Sequence, residues 1–358
     1  MLKILVRRSR DVTYLTQDHA LELDEVREGP AAWWLRGAGD LSREEDVRRV
    51  LCTSERSQVV GYDLVVAAPR PLSLLVALDP GNASRIVSAH RRAVSDTLEY
   101  LEAHALVVRE RRGGEDIDLP GRWTNVVSFT HGVNRHGEPH LHDHVLVAAR
   151  PEGARGVLDS RALFAHARAA DALYRASLRA DVARTTPYVP WRSFEGVEHV
   201  KNLDEGYRAL WGGHYDERQT KRQWSRAEVR GKWANDLTRY ESHGVVAVPE
   251  RSARSLDEHA FGSALEGRHS VARRHVIEAW ANACVFGSSA HDVKQSVNLL
   301  YPSFSSSRGV REDTISVPEA RMIANTRERG PRPLDVHELD AWFQRSRERS
   351  RDIEGRSR

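Results

Sequence analysis

The chain has 358 residues, enough for one large domain or two of ordinary size, and its 40% hydrophobic and 29% charged residues are typical of a soluble globular protein. It contains no apolar run of about 18 residues, so no transmembrane helix is expected, and its first residues lack the apolar stretch of a signal peptide. The two cysteines lie far apart, which argues against a disulfide framework and favours a cytoplasmic location.

The basic residues are mostly arginine. The net charge is only +3, but just five of the 54 basic residues are lysine. The planar guanidinium suits bidentate contacts with phosphates and stacking on bases. A GC-rich genome produces the same bias, so the composition permits DNA binding without establishing it.

In the first half of the chain, short apolar runs alternate with helical stretches. A strand is predicted over residues 59–68 and ends at Pro69, and helical spacing of apolar residues predicts a helix over about 80–106. Strands over 125–131 and 141–149 enclose a turn rich in Asn, Gly and Pro, which predicts an antiparallel hairpin.

The second half is mainly helical by pattern. A long helix is predicted over 160–185, and a further helical block over about 256–330. Between them, residues 200–245 interleave tryptophans with arginines and lysines. This pattern suits base stacking along a single strand, and it suits equally a helix that uses tryptophan in the core. The charged end of the chain is expected to be disordered.

The densest chemical signal is a group of five histidines within fourteen residues, from His131 to His144. Alternate residues of a strand face the same side, so His142 and His144 share a face. His131 ends the preceding strand and lies opposite them when the hairpin closes. Three imidazoles can then converge on one divalent cation and leave positions open for substrate oxygens, which predicts a catalytic metal site.

Two other interpretations of the histidines are weaker. A solvated loop would not place the histidine pair among apolar strand residues such as Leu141 and Val145, where unpaired imidazoles are costly. A structural zinc site would normally add cysteine ligands, and neither Cys52 nor Cys284 lies near the cluster.

The histidine string resembles the three-histidine motif of TrwC/TraI-type (MobF) conjugative relaxases, members of the HUH endonuclease superfamily. That motif has one histidine, a polar turn with an acidic residue and a proline, and then Leu-His-x-His before an apolar strand. His131, His142 and His144 match it with separations of eleven and two. His140 stands where the family usually has a non-ligand, so the resemblance makes it a neighbour of the ligands or a DNA-facing residue.

Other blocks extend the resemblance over about residues 1–185. Residues 61–73 look like the family's Gly-x-Asp-Leu-Thr-Phe-Ser-Ala-Pro-Lys-Ser-Val-Ser block, and residues 158–164 resemble the segment that follows the histidines. The implied fold is α+β, an antiparallel β-sheet with flanking helices like the palm of HUH relaxases, followed by a mostly helical part. The implied organisation is a relaxase catalytic core over 1–190, a helical Trp/Arg-rich DNA-clamping region over 191–250, a helical C-terminal region over 251–340 and a disordered charged tail over 341–358.

The resemblance implies a metal-dependent nick made by a tyrosine near the N-terminus. Tyr14 is the only tyrosine before the 61–73 block, and its phenolate would form a phosphotyrosine with the 5′ side of the nick. Asp63 matches the family's aspartate beside the metal, where a carboxylate can orient an imidazole or help remove the phenolic proton; a surface salt bridge is the alternative. The metal would be Mg²⁺ or Mn²⁺, although such a site accepts other divalent ions. The residues expected to contact DNA are Arg70, Ser73, Arg135 and His140.

The N-terminal segment departs from the family in having no second tyrosine. Well-known members carry paired tyrosines here, whereas this chain has Tyr14 and then none until Tyr62. If relatives use a second tyrosine to end transfer, this protein needs another route. The stored 3′-hydroxyl or the Tyr14 of a second subunit would serve.

The implied partners are single-stranded origin-of-transfer DNA, accessory relaxosome proteins and a type IV secretion or coupling protein, with no membrane insertion. The sequence has no Gly-x-x-x-x-Gly-Lys-Ser/Thr phosphate loop, so we expect no ATPase activity from it. Two other functions remain open. A rolling-circle replication initiator of the same superfamily would place its tyrosine after the histidines, with Tyr174 as the candidate. A catalytically inactive single-strand-binding module would take up no metal.

Overall fold

A computed structural model describes residues 1–11, 15, 58–78, 80–123, 126–134, 136–151, 154–186, 191–194, 197–200, 226–240, 256–285, 287–300, 314–318 and 320–321. The expected tail over 341–358 lies outside these residues. Within them, no helix is both long enough and apolar enough to cross a membrane.

The strands are β1 (Leu2–Arg7), β2 (Gly61–Ala67), β3 (Val107–Arg112), β4 (Glu115–Pro120), β5 (Val126–Val133), β6 (Pro139–Ala148), β7 (Val157–Leu158), β8 (Trp191–Phe194), β9 (Val197–Val200), β10 (Ser270–Ala272) and β11 (Thr314–Ser316). The helices are α1 (Arg70–Leu78), α2 (Pro80–His104), α3 (Ser160–Thr185), α4 (Arg226–Tyr240), α5 (Leu256–Leu265), α6 (Arg273–Ala283) and α7 (Ala290–Leu300).

The main sheet has four antiparallel strands in the order β1-β2-β6-β5. Its helix-facing side is mostly apolar, and Leu64, Val66, Val145 and Val147 are all fully buried there. The long helices α2 and α3 pack against each other. The α+β prediction, an antiparallel sheet with flanking helices and further helices behind it, is therefore confirmed.

The helix predicted over 160–185 has those bounds in the structure. Asp159 caps its first turn by accepting a hydrogen bond from the backbone N–H of Arg161 at 3.0 Å, and the alanine-rich sequence that follows favours the helix. The central residues of α3 are almost wholly buried because both α2 and α6 pack on it.

The C-terminal helices are fastened to α3 by buried polar contacts. The guanidinium of Arg179, only 1% exposed, donates to the carbonyls of Ala281 and Cys284, where the backbone carbonyls at the end of α6 need donors. The Ser177 hydroxyl accepts from the backbone N–H of Ala290 at the start of α7. The buried residues of both halves of the chain therefore form one hydrophobic cluster.

Two expectations about the second half need correction. The 191–250 region begins with a strand pair, β8 and β9, and not with a helix. The 251–340 region contains the pair β10 and β11 beside its helices. These strands have only three or four residues each, too few for an alternating pattern to stand out in the sequence.

A buried polar network joins the sheet to both long helices. Asp143 of β6 points to the helix side and accepts hydrogen bonds from Ser128 Oγ of β5 at 2.8 Å and from His90 Nε2 of α2 at 3.1 Å. The hydroxyl of Tyr174 on α3 lies 2.7 Å from His90 Nδ1. Burial acts to raise the pKa of Asp143, but His90 and the hydrogen bonds outweigh it and lower that pKa to about 2. The carboxylate is ionised and fully buried, and its partners satisfy it.

We expect Asp143→Ala to lower the free energy of unfolding by about 2–4 kcal/mol, because the buried His90 and Ser128 groups lose their acceptor. Urea denaturation of the chelator-treated protein measures this loss. Asp118→Ala is the matched control, since it removes a carboxylate that pairs with Arg109 near the surface, and it should cost far less. Equal losses for the two variants would contradict the role given to the network.

Candidate metal centre

Strand register brings the three predicted ligands together. His131 of β5 is directly opposite His142 of β6, and His144 follows two residues later on the same face. Their ligand atoms all lie within 4.8 Å of one another, and this is the one group of potential metal ligands found among the described residues. The hairpin and the convergence expected from the sequence are therefore present.

The three rings surround a common point. The ring centroids are 5.2 Å apart for His131 and His142, 5.4 Å for His131 and His144, and 5.2 Å for His142 and His144. His142 is buried and the other two are half-buried. Three imidazoles on one face, with part of the site open, are typical of a catalytic metal site. A structural metal site is instead closed by protein ligands.

Hydrogen bonds fix the orientation of two of the rings. His144 Nδ1 lies 3.0 Å from each carboxylate oxygen of Asp63, and His142 Nδ1 donates to the carbonyl oxygen of His140 at 2.7 Å. With Nδ1 engaged, Nε2 is the nitrogen left to bind a metal ion. The donor set and its hydrogen-bonded surroundings therefore fit a divalent metal ion.

Burial keeps the imidazole of His142 neutral at neutral pH. Burial, and after it the neighbouring His144, lower the pKa of His142 to about 4. Burial also holds the pKa of His140 well below its ordinary value. Neutral imidazole is the form that coordinates a metal, so His142 needs no deprotonation at neutral pH to bind one.

His140 lies beside the group of ligands and not within it. The register of β5 and β6 shifts between His131 and Val133, so β6 has one residue more than β5 over that stretch. His140 lies in that stretch, and its ring stacks on that of His142, with centroids 4.7 Å apart, which agrees with a neighbour of the ligands.

The sequence interpretation missed Arg7, at the end of β1. Its side chain is 9% exposed, its Nη1 lies 3.8 Å from Asp63 Oδ2, and its Nη2 donates to the backbone carbonyl of Asp11. The apolar residues of Leu2–Arg7 were the available signal for a strand, but nothing local shows that this strand pairs with β2, more than 50 residues away.

The residues expected to contact DNA differ in how exposed they are. Arg70 is partly exposed and lies 3.6 Å from Glu138 in an ion pair. Ser73 is only 2% exposed, and its hydroxyl accepts from the backbone N–H of Leu141 at 3.0 Å, so it ties α1 to β6 and is not available to DNA. Tyr14 and Arg135 lie outside the described residues.

Trp233, from the Trp/Arg-rich region, is a core residue here. It lies on α4, is 4% exposed, and donates its indole N–H to the carbonyl of Gly137 in the turn between β5 and β6 at 2.8 Å. Of the two interpretations of these tryptophans, packing therefore applies to Trp233. Trp211 and Trp224 lie outside the described part of the chain.

Comparison with known proteins gives matches in sequence. The family model described as TrwC relaxase matches residues 15–211. Two proteins called multifunctional conjugation protein TraI, one from Escherichia coli and one from its strain K12, are 32% and 33% identical over 114 residues. The match covers 32% of this chain but only 6% of each relative.

Solved structures show the same fold. The conjugative relaxase TrwC in complex with oriT DNA matches in a metal-free form at a TM-score of 0.52 and 22% identity, and in a copper-bound form at 0.51 and 20% identity. Each match covers 67% of this chain and 99% of the other. With more than half of its residues matched by the family model, this chain belongs to the TrwC relaxase family.

Proposed function

We propose that this protein is a conjugative relaxase that nicks one DNA strand at an origin of transfer by tyrosine transesterification and can rejoin it. The observation that carries the proposal is the convergence of His131, His142 and His144 on one sheet face, with Asp63 on His144. Membership of the TrwC relaxase family supports it, as does the oriT DNA bound in the matching TrwC structures.

Tyr14 is the proposed nucleophile. Its phenolate oxygen attacks the scissile phosphorus, the bond from phosphorus to the 3′-oxygen breaks, and a 5′-phosphotyrosine and a free 3′-hydroxyl result. Attack by that hydroxyl reverses the step, so rejoining needs no ATP. Tyr14 precedes the matched range by one residue, and its assignment rests on the sequence resemblance.

Asp63 is proposed to orient His144. The sequence left open whether this carboxylate orients an imidazole or helps remove the phenolic proton. Both of its oxygens lie 3.0 Å from His144 Nδ1 and the residue is 2% exposed, which favours orientation. A carboxylate that accepts the second N–H of a ligand histidine also raises the basicity of that ligand.

The three histidines are proposed to hold a divalent cation, Mg²⁺ or Mn²⁺. When bound, the ion supplies positive charge that stabilises the phosphoryl oxygens in the transition state. A set of three imidazoles does not select one metal, because imidazole suits several divalent ions.

Binding of single-stranded DNA is proposed to involve Arg70, Arg135 and His140, together with the 191–250 region as a clamp over the strand. The same proposal implies that the protein works with accessory relaxosome proteins and with a type IV secretion or coupling protein. It also implies a cytoplasmic location. Ser73 is omitted because its hydroxyl is buried and bonded within the protein.

The structure weakens the rolling-circle alternative. Tyr174, the candidate nucleophile after the histidines, is fully buried on the helix side of the sheet and bonded to His90. It lies on the opposite side of the sheet from the ligands, so it cannot attack a phosphate held there.

We expect wild-type protein, with Mn²⁺ and a randomised pool of labelled single-stranded oligonucleotides, to form a covalent adduct that survives denaturing electrophoresis. Tyr14→Phe should abolish the adduct, because phenylalanine has no attacking oxygen, and Tyr174→Phe should retain it. Sequencing the trapped strands gives the cognate site. An adduct that persists in Tyr14→Phe, or none in the wild type, contradicts the proposal; the latter outcome favours the inactive binding module.

Loss of a residue that orients a ligand lowers metal affinity by roughly 10- to 100-fold. We expect His142→Ala to weaken Mn²⁺ binding by more than that, because it removes a direct ligand. Calorimetric titration measures the affinity, and the adduct assay should lose its signal in parallel. His136→Ala is the control, since His136 lies in the turn outside the ligand group and its loss should leave the affinity unchanged. Equal affinities for the two variants would rule out the assigned site.

A further inference from the structure

We propose that Arg7 is a positioning residue that couples the Asp63–His144 pair at the metal centre to the backbone that precedes Tyr14. The inference rests on the proposed function for the role of Tyr14. Its link to the metal ligands rests on the geometry alone.

The guanidinium of Arg7 is buried where a charge is costly unless it is compensated. The side chain is 9% exposed, and Asp63, 2% exposed, lies within ion-pair distance at 3.8 Å. Asp63 in turn lies 3.0 Å from His144 Nδ1 through both oxygens. Arg7 and His144 therefore contact the same buried carboxyl group, and Arg7 helps to fix its position beside His144.

The sheet places these three residues on one diagonal. Arg7 pairs with Gly61 across β1 and β2, and Asp63 is two residues further along β2. Likewise, His144 pairs with Val65 across β2 and β6, again two residues beyond Asp63. Diagonal neighbours on one face are within reach of long side chains, so each residue contacts the next across a strand boundary.

The second contact of Arg7 reaches the segment of the proposed nucleophile. Nη2 donates to the backbone carbonyl of Asp11, and Asp11 is three positions before Tyr14. Leu15, directly after Tyr14, is 4% exposed. Asp11 is therefore held by a hydrogen bond and Leu15 by burial. Arginine suits this place because its planar fork serves two acceptors at once, which the point charge of lysine does not.

The two contacts separate into two measurable effects. The contact with Asp63 affects metal affinity, because it holds in place the carboxyl group that orients His144. The contact with Asp11 affects the rate of strand cleavage, because it fixes the backbone from which the segment with Tyr14 continues. A residue needed only for folding would not split these two properties.

The first experiment is a double-mutant cycle on Mn²⁺ affinity, without DNA. Asp63→Asn should weaken binding by about 10-fold or more, and Arg7→Met by about 3- to 10-fold. The double variant should bind no more weakly than Asp63→Asn, because Arg7 acts on the metal through Asp63. Unchanged affinity in Arg7→Met, or fully additive losses, would overturn this half of the proposal.

The second experiment measures single-turnover adduct formation at saturating Mn²⁺, with the oligonucleotide recovered from the randomised pool. Arg7→Lys keeps a charge beside Asp63 and should hold Mn²⁺ affinity within about threefold of wild type, while cleavage slows by about 10- to 100-fold through misplacement of the nucleophile. Wild-type rates in Arg7→Lys would refute the coupling to Tyr14.

Arg8→Met is the matched control, since Arg8 is the next residue along the chain and is exposed. It should leave Mn²⁺ affinity and the unfolding midpoint unchanged. Comparing unfolding midpoints of all variants identifies any that are merely unfolded. If wild type binds Mn²⁺ but forms no adduct, both the proposed function and the coupling to Tyr14 are wrong. The double-mutant cycle on Mn²⁺ affinity then still tests the link from Arg7 to Asp63.

Discussion

The pairing of β6 with both of its neighbours is the constraint on which the rest of the structure depends. Because β6 lies between β2 and β5, its side chains can point only to the helix side or to the opposite side. His142 and His144 take one side, and Asp143 between them takes the other. One stretch of strand thereby supplies two ligands to the metal centre and an anchor to helices α2 and α3.

The buried carboxyl groups near the metal centre lie on both sides of the sheet. The two carboxylates near the ligands each have a histidine partner, Asp63 with His144 on the open side and Asp143 with His90 on the helix side. The ligand His142 is neutral because burial lowers its pKa. The centre thus combines the neutral ligand His142 with a carboxyl group, Asp63, that orients the ligand His144, as a metal site with oriented ligands needs.

Long periodic segments were predictable from sequence, and non-local contacts were not. The helix over 160–185 was predicted with its observed bounds because its apolar stripe is a local signal. The ligands were found because strand alternation relates His142 to His144 and a hairpin relates both to His131. Arg7 was missed because its partners depend on the pairing of β1 with β2. The family resemblance placed Ser73 at the DNA, and nothing local shows that its hydroxyl bonds to the backbone of Leu141. The register shift beside Gly132 also depends on the fold.

The alternation of His142, Asp143 and His144 disfavours pairing of β6 in a register shifted by one residue. A slip of β6 by one residue would turn both imidazoles towards the helices and bring a carboxylate to the metal side. Such an isomer would bury two histidines without acceptors and leave His90 facing no anion, so it would be destabilised on the helix side. An ion captured by the three histidines would further populate the correct pairing by mass action. Metal uptake would in that way report on the register of the sheet as well as on the presence of the ligands.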